Sequence, residues 1–381
     1  MKSYSVEVEV LSPTHIGTGE KLGPSDYLSE ANGKRIYYIN LDLLLSRPGI
    51  APDEVASAVS HMGEGLAGLI ARKRILPKEV ALEVLESEEP IRGEIMPHIR
   101  TLGKPYIPGS SLKGAIRTAL LWKMLSSENE LRKFALEELT RIAAEHKHVS
   151  PKKADDRIEA RALSDERQKD LPHYDILRAL RVSDITPLDG SATAIYDIGI
   201  FSLQTGRRIG GRGDRRTGGE KLSIPVEALR PGKRLRGELT IDEWLLHDVR
   251  AKELGFGGRS SFIEGFAEAC RERSDQLIKG ELERLKADPF SDARAFYQGL
   301  LKRNSGSSFT LQISWGTGWD AKSVMPILRD ELGNAYTQLL NSLRIAKHRR
   351  PPGAPFPSTR HMTAHQERPG VPLGWVLISL R

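Results

Sequence analysis

Apolar and polar residues alternate at the start of the chain: Val6, Val8 and Val10 stand between Ser5, Glu7 and Glu9. A period of two with β-branched residues on one side predicts a half-buried strand, which ends at Ser12-Pro13. Residues 35–39 predict a second strand, entered through the hairpin pair Asn32-Gly33. Residues 53–75 and 78–87 carry helical periodicity. After Pro108-Gly109, the residues Leu112, Ile116, Ala119 and Leu120 recur every three or four positions. They predict a helix with one buried face and with Ser110 or Ser111 as its N-cap. Residues 126–180 are charged and helix-prone, which predicts a solvated helical insertion. Strands are expected again at 181–185 and 194–198. Leu235, Leu239 and Ile241 alternate with Arg234, Arg236, Glu238 and Thr240, predicting another. A long helix from about residue 261 into the 280s, a strand over 309–315, a helix through the 330s and 340s and a closing strand over 374–378 complete the pattern.

Strands and helices do not alternate regularly, so the pattern favours an α+β fold over a doubly wound parallel sheet. No short fixed repeat is present. The two halves echo each other, each with an alternating strand beside a Gly-Thr-Gly loop, Gly17-Thr18-Gly19 and Gly316-Thr317-Gly318.

Composition narrows the function. With 381 residues the chain is long enough to bury a large core without a disulfide or metal staple, and its single cysteine, Cys270, leaves no intrachain disulfide. This suits a reducing compartment, and a cytoplasmic location is expected. No apolar run reaches the length of a membrane span and no leader is evident, so no membrane partner is expected. Lys plus Arg number 57 against 50 Asp plus Glu, a net charge of +7. The excess is clustered. Arg207, Arg208, Arg212, Arg215 and Arg216 share one glycine-rich stretch with a single acid, Asp214; Arg230, Lys233, Arg234 and Arg236 follow; Lys347, His348, Arg349 and Arg350 form a third group. Clustered cations point to a polyanion. The stretch 206–219 offers nothing to a core and is expected to be a mobile loop.

Candidate chemistry is sparse. The loop at Gly17 lacks the Gly-Lys-Ser/Thr ending of a phosphate-cradling loop, and no dinucleotide fingerprint follows a strand. Cys270 falls inside a predicted helix and reads as packed. His146 and His148 would point apart on a helix, and His98 and His361 have no ligand-like company, so no metal site and no cofactor are expected. His15, between the first strand and the glycine loop, is placed to take a proton from a ribose 2′-hydroxyl or to be a turn residue or hydrogen bonder; no acid partner is visible. Lys113 and Arg117, four apart on the predicted helix, extend a positive strip from its N-terminus, where free N–H groups suit phosphate. As a set, the basic features and glycine loops describe a protein that tracks a nucleic-acid backbone. Aromatics are only 6% of the chain, which disfavours a broad base-stacking platform.

The block Ile107-Pro108-Gly109-Ser110-Ser111-Leu112-Lys113-Gly114-Ala115-Ile116-Arg117 resembles the signature of RAMP proteins, the RNA-binding subunits of CRISPR effector complexes. The opening from Val8 to Gly19 resembles the family's first strand and loop, and the stretch from Phe309 to Trp319 its C-terminal glycine-rich loop. Phe356-Pro357-Ser358-Thr359-Arg360 followed by Pro372-Leu373-Gly374-Trp375-Val376 narrows the resemblance to the fifth-subunit family of type III-A Csm complexes. The resemblance implies two ferredoxin-like, RRM-related modules, 1–190 with its insertion at about 126–180 and 191–381 with the arginine-glycine loop. It implies a non-catalytic subunit capping the 3′ end of the guide RNA. The implied partners are guide RNA and target RNA, the repeated backbone RAMP subunit, the small helical subunit, and recruited nucleases that trim the guide. The residues it places on RNA are Ser110, Ser111, Lys113, Gly114 and Arg117, with the loops His15 to Gly19 (through Gly17 and Thr18) and Gly316-Thr317-Gly318 beside them. The arginines of 206–219 are added to this RNA-binding set on charge alone. Two other readings stay open: a metal-independent endoribonuclease that cuts repeat RNA with His15, and a general nucleic-acid chaperone.

Overall fold

The computed structural model describes the whole chain except residues 31, 61–64, 92, 146–148, 165–170, 189, 210–222, 248, 257, 286–287, 346–350, 352 and 366–367. It is a mixed helix-and-sheet fold with antiparallel sheets. The first strand, Lys2–Val10, is central to a six-stranded sheet: Arg234–Ile241 pairs on one side of it and Trp375–Leu380 on the other. Ser308–Gln312 extends the sheet beyond Trp375–Leu380; Leu180–Val182 and Thr186–Pro187 extend it beyond Arg234–Ile241. Val6, Val8 and Val10 are at most 1% exposed, as the alternation predicts. Leu235, Leu239 and Ile241 are buried with them.

Helices cover the apolar face of this sheet. Gly109–Ser127 buries Leu112, Ile116, Ala119 and Leu120, and packs against Phe266–Arg284, which buries Phe266, Ala269 and Cys270. A second sheet, of four strands, orders Ile224–Leu229, Thr193–Ser202, Thr359–His365 and Arg368–Pro372. Phe201, Met362 and Trp375 pack there with Phe290 and Tyr297 in a second core. A third sheet, Tyr27–Ser29, Arg35–Ile39 and Ala81–Glu86, is backed by the helices Leu41–Leu45, Pro52–Ser60 and Gly65–Arg72.

Four expectations are corrected. Residues 81–86 form a strand, not a helix: the segment pairs with Arg35–Ile39 and buries Leu85, while Leu82 and Val84 stay exposed. The stretch 126–180 is not merely a solvated insertion: Asn129–Ala144 sends Leu131, Ala135, Leu139 and Ile142 into the main core and packs on Asn334–Ser342. Neither Ser110 nor Ser111 caps its helix. Gly109 is already helical, and its N–H donates to Asp184 Oδ1 at 2.9 Å. Finally, the six-stranded sheet interleaves the two halves of the sequence, since Lys2–Val10 lies between strands that follow residue 230.

Candidate nucleic-acid interface

Two loops from opposite ends of the sequence are tied into one surface. The His15 N–H donates to Ser314 Oγ at 3.0 Å, and the His15 carbonyl accepts from Ser314 Oγ at 2.9 Å and from the Trp315 N–H at 2.9 Å. Behind the first loop, the Ile99 N–H donates to the Ile16 carbonyl at 2.8 Å and the Ile16 N–H to His98 Nδ1 at 3.3 Å. The second loop turns back at Gly316 and Gly318, whose φ values of 78° and 90° favour glycine. A Cβ at Gly316 would also lie 3.3 Å from His361 Cβ and 3.1 Å from Leu373.

Below that turn lies a quartet of charges, Glu281, Asp320 and Arg360 buried and Arg284 at its edge, 23% exposed. Arg360 Nε donates to Glu281 Oε2 at 3.0 Å, its guanidinium reaches Asp320 at 3.4 Å, and Arg284 pairs with both acids. Burial works against the Arg360 charge, but Glu281 and Asp320 outweigh it, and the guanidinium pKa is raised. Two cations against two anions leave the group neutral, which suits so dry a place. Its members lie on a helix, a strand and the glycine loop, so it holds that loop in position.

The two loops and the Gly109–Ser127 helix enclose a cleft of about 350 Å³. Gly17, Ser111, Gly114 and Thr118 line it on one side, Gln312, Ser314, Trp315 and Lys322 on the other. The structure thus brings Gly17, the serine-bearing end of the helix and the strand end before the second glycine loop to one cleft, whereas Gly316 and Thr317 line a separate small pocket beside Glu281, Asp320 and Arg360. Gly17, Thr18 and Gly19 are exposed, and of the three only Gly17 lines the cleft; Thr317 is buried and donates from Oγ1 to the Ser314 carbonyl at 3.2 Å.

Other expected contacts fall elsewhere. Ser110 is exposed on the helix but does not line the cleft. Arg117 is engaged within the protein: its guanidinium donates to Glu159 at 2.6 and 3.0 Å and to Asp175 at 2.7 Å. Its charge is therefore largely cancelled. Lys113 lies beside it, half-buried, without an ion-pair partner among the described residues; burial lowers its pKa. Arg208 is also spent internally. Its side chain is 5% exposed and holds Asp197 at 2.9 Å, while Gly206 to Ile209 hydrogen-bond back onto Thr193–Ser202. Residues 206–209 are thus ordered, and only Arg207 of them offers an exposed cation. Arg212, Arg215 and Arg216, the rest of the 206–219 loop, the pair His146/His148 and the group Lys347–Arg350 lie outside the described residues.

His15 is fully buried. Its Nδ1–H donates to the Glu227 carbonyl at 2.6 Å, and burial keeps the imidazole neutral by lowering its pKa. Nε2 has no hydrogen-bond partner among the described residues, and a Cβ on Gly17 would stand 2.8 Å from it. A general base needs contact with its substrate; here the ring is a strut between loop and sheet. Among the described residues no His/Cys/Asp/Glu cluster could hold a metal, and no helix is long and apolar enough to cross a membrane.

Sequence reasoning missed Trp315 as a site residue, Lys322, and both buried ionic clusters. The second cluster centres on Glu227, which accepts from Arg100, from Tyr38 Oη at 3.3 Å and from the His98 N–H at 3.1 Å. The signal available for these was weak: acids at strand positions that ought to be apolar, such as Glu227 between Val226 and Ala228.

The RAMP superfamily pattern matches residues 7–319. Two proteins named CRISPR system Cms protein Csm5 are similar. The one from Methanocaldococcus jannaschii is 23% identical over 405 aligned residues, covering 99% of this chain and 89% of that protein. The one from Streptococcus thermophilus is 25% identical over 230 residues, 54% of this chain, and the match spans 58% of that protein's length. A chain in the cryo-EM structure of a Csm–crRNA–target RNA ternary complex of a type III-A CRISPR-Cas system superposes with a TM-score of 0.73 at 25% identity, covering 99% of this chain and all of that one.

Proposed function

The chain belongs to the RAMP superfamily, and from that premise we propose that it is a subunit of a type III CRISPR complex, of the Csm5 kind. In this reading it binds guide RNA without cutting it, caps the 3′ end of the guide filament in the cytoplasm, and supports guide maturation by nucleases that the complex recruits. Its neighbours are the backbone RAMP and the small helical subunit. The observation that carries the reading is the convergence of three motifs, distant in sequence, on one cleft with no acidic residue in its lining. Its hydroxyls, Ser111, Thr118 and Ser314, and one lysine suit phosphate and ribose better than they suit a base-specific code. The burial of His15 favours a binding subunit over the repeat-cleaving alternative.

The test is reconstitution of the complex with and without the chain. Omitting it should leave guide RNA with ragged, untrimmed 3′ ends, and the purified chain should prefer guide RNA to random RNA of equal length. Equal binding to both would favour a general chaperone. Cleavage of repeat RNA in EDTA, lost in His15→Ala, would establish the nuclease instead.

A further inference from the structure

The cleft has one aromatic wall and one cation, Trp315 and Lys322. The Trp315 indole is fixed by two imidazoles, His15 at a ring distance of 6.1 Å and 86° and His361 at 4.9 Å and 61°. It is half-buried and lines the cleft. Lys322 is exposed at the lip and forms no ion pair among the described residues.

Gly114 supplies the third observation. It lies inside the Gly109–Ser127 helix, where glycine is less favourable than alanine. Its φ is not positive, and a Cβ there would meet no atom within 4 Å. Neither backbone conformation nor packing requires glycine at this position. What its missing side chain leaves is space on the cleft side, opposite Trp315.

We propose that the cleft seats a single unstacked nucleotide of the RNA, with its base against Trp315 and a flanking phosphate at Lys322. This rests on the RNA-binding reading above and adds to it a stacking subsite in a surface otherwise suited to the backbone. At about 350 Å³ the cleft is at the low end of small-molecule sites, too small for a duplex and of the right order for one nucleotide. The indole offers a π-face that any base can use, so the subsite selects for an unpaired position and not for a sequence.

The test uses the full chain and a series of guide-length RNAs, each with one abasic nucleotide. In the wild type, one position should matter, its abasic form binding roughly 5- to 150-fold more weakly, the range for loss of one stacked base. Trp315→Ala should make that position silent. Gly114→Leu, which fills the cleft from a site with open space, should do the same and serves if Trp315→Ala does not fold. Lys322→Ala should lower the slope of log K against log salt by about 0.7. If the abasic profile is identical in wild type, Trp315→Ala and Gly114→Leu while RNA is still bound, the subsite is wrong and the RNA-binding reading survives. If Trp315→Ala weakens assembly with partner subunits and leaves the abasic profile intact, the cleft holds a protein side chain and the proposal falls. If the wild type binds no guide RNA, the reading itself fails.

Discussion

At the scale of single residues, His98 shows how burial sets chemistry. It is 1% exposed, its Nδ1 accepts from the Ile16 N–H, and its Nε2–H donates to the Tyr106 carbonyl at 3.0 Å. Both ring nitrogens are satisfied in the neutral form, and desolvation pulls its pKa from 6.5 down to about 3. A folded pKa below the unfolded one means that stability is complete above pH 6.5 and is lost as pH falls from there toward 3. At pH 5 this group alone should remove about 2 kcal/mol, and His15 acts in the same direction. Urea unfolding of wild type and His98→Gln at pH 7.5 and pH 5 checks this: the variant should lose less stability on acidification. Equal losses would show that His98 is not a source of acid sensitivity.

At the scale of elements, the Gly109–Ser127 helix sits hard against the strand Leu180–Val182. A Cβ at Gly109 would fall inside contact distance of the Val182 carbonyl oxygen and 2.7 Å from that of Ser183. Gly109→Ala should push the helix off the strand and destabilise the protein by about 1–3 kcal/mol, the usual range for overpacking. Ser110→Ala should change stability by less than about 0.5 kcal/mol, since this serine caps nothing. Thermal unfolding of the two variants side by side tests both statements. The helix itself was legible in the sequence from Leu112, Ile116, Ala119 and Leu120. Its cap was not, because Asp184 arrives from 75 residues away. The same limit explains the rest. Local periodicity marks Val6, Val8 and Val10 and the glycine loops, whereas the quartet of Glu281, Arg284, Asp320 and Arg360 comes from three separate elements. Arg117 and Arg208 looked like free cations for the same reason: Glu159, Asp175 and Asp197 pair with them only once the chain has folded.

At the scale of the whole molecule, the two halves of the sequence share one sheet. A fragment of residues 1–190 would keep Lys2–Val10 but lose both its partners, Arg234–Ile241 and Trp375–Leu380. Expressed alone, it should show no cooperative thermal transition and should be cut rapidly by protease. A stable, protease-resistant fragment would instead establish an independent N-terminal module.

The pairing of Lys2–Val10 with Trp375–Leu380 also orders events in time. Val8 faces Ile378 in the finished sheet, and the His15 carbonyl waits for the Trp315 N–H. During synthesis the first strand emerges long before either partner, exposing valines and an unpaired edge that invite association. Contacts of such long sequence separation also make closure slow. The glycine-lined cleft is therefore among the last parts to exist, and a chain that stops short of residue 375 cannot complete the sheet behind it. A copy that ended before residue 375 would present the first strand with only one of its two neighbours, Arg234–Ile241.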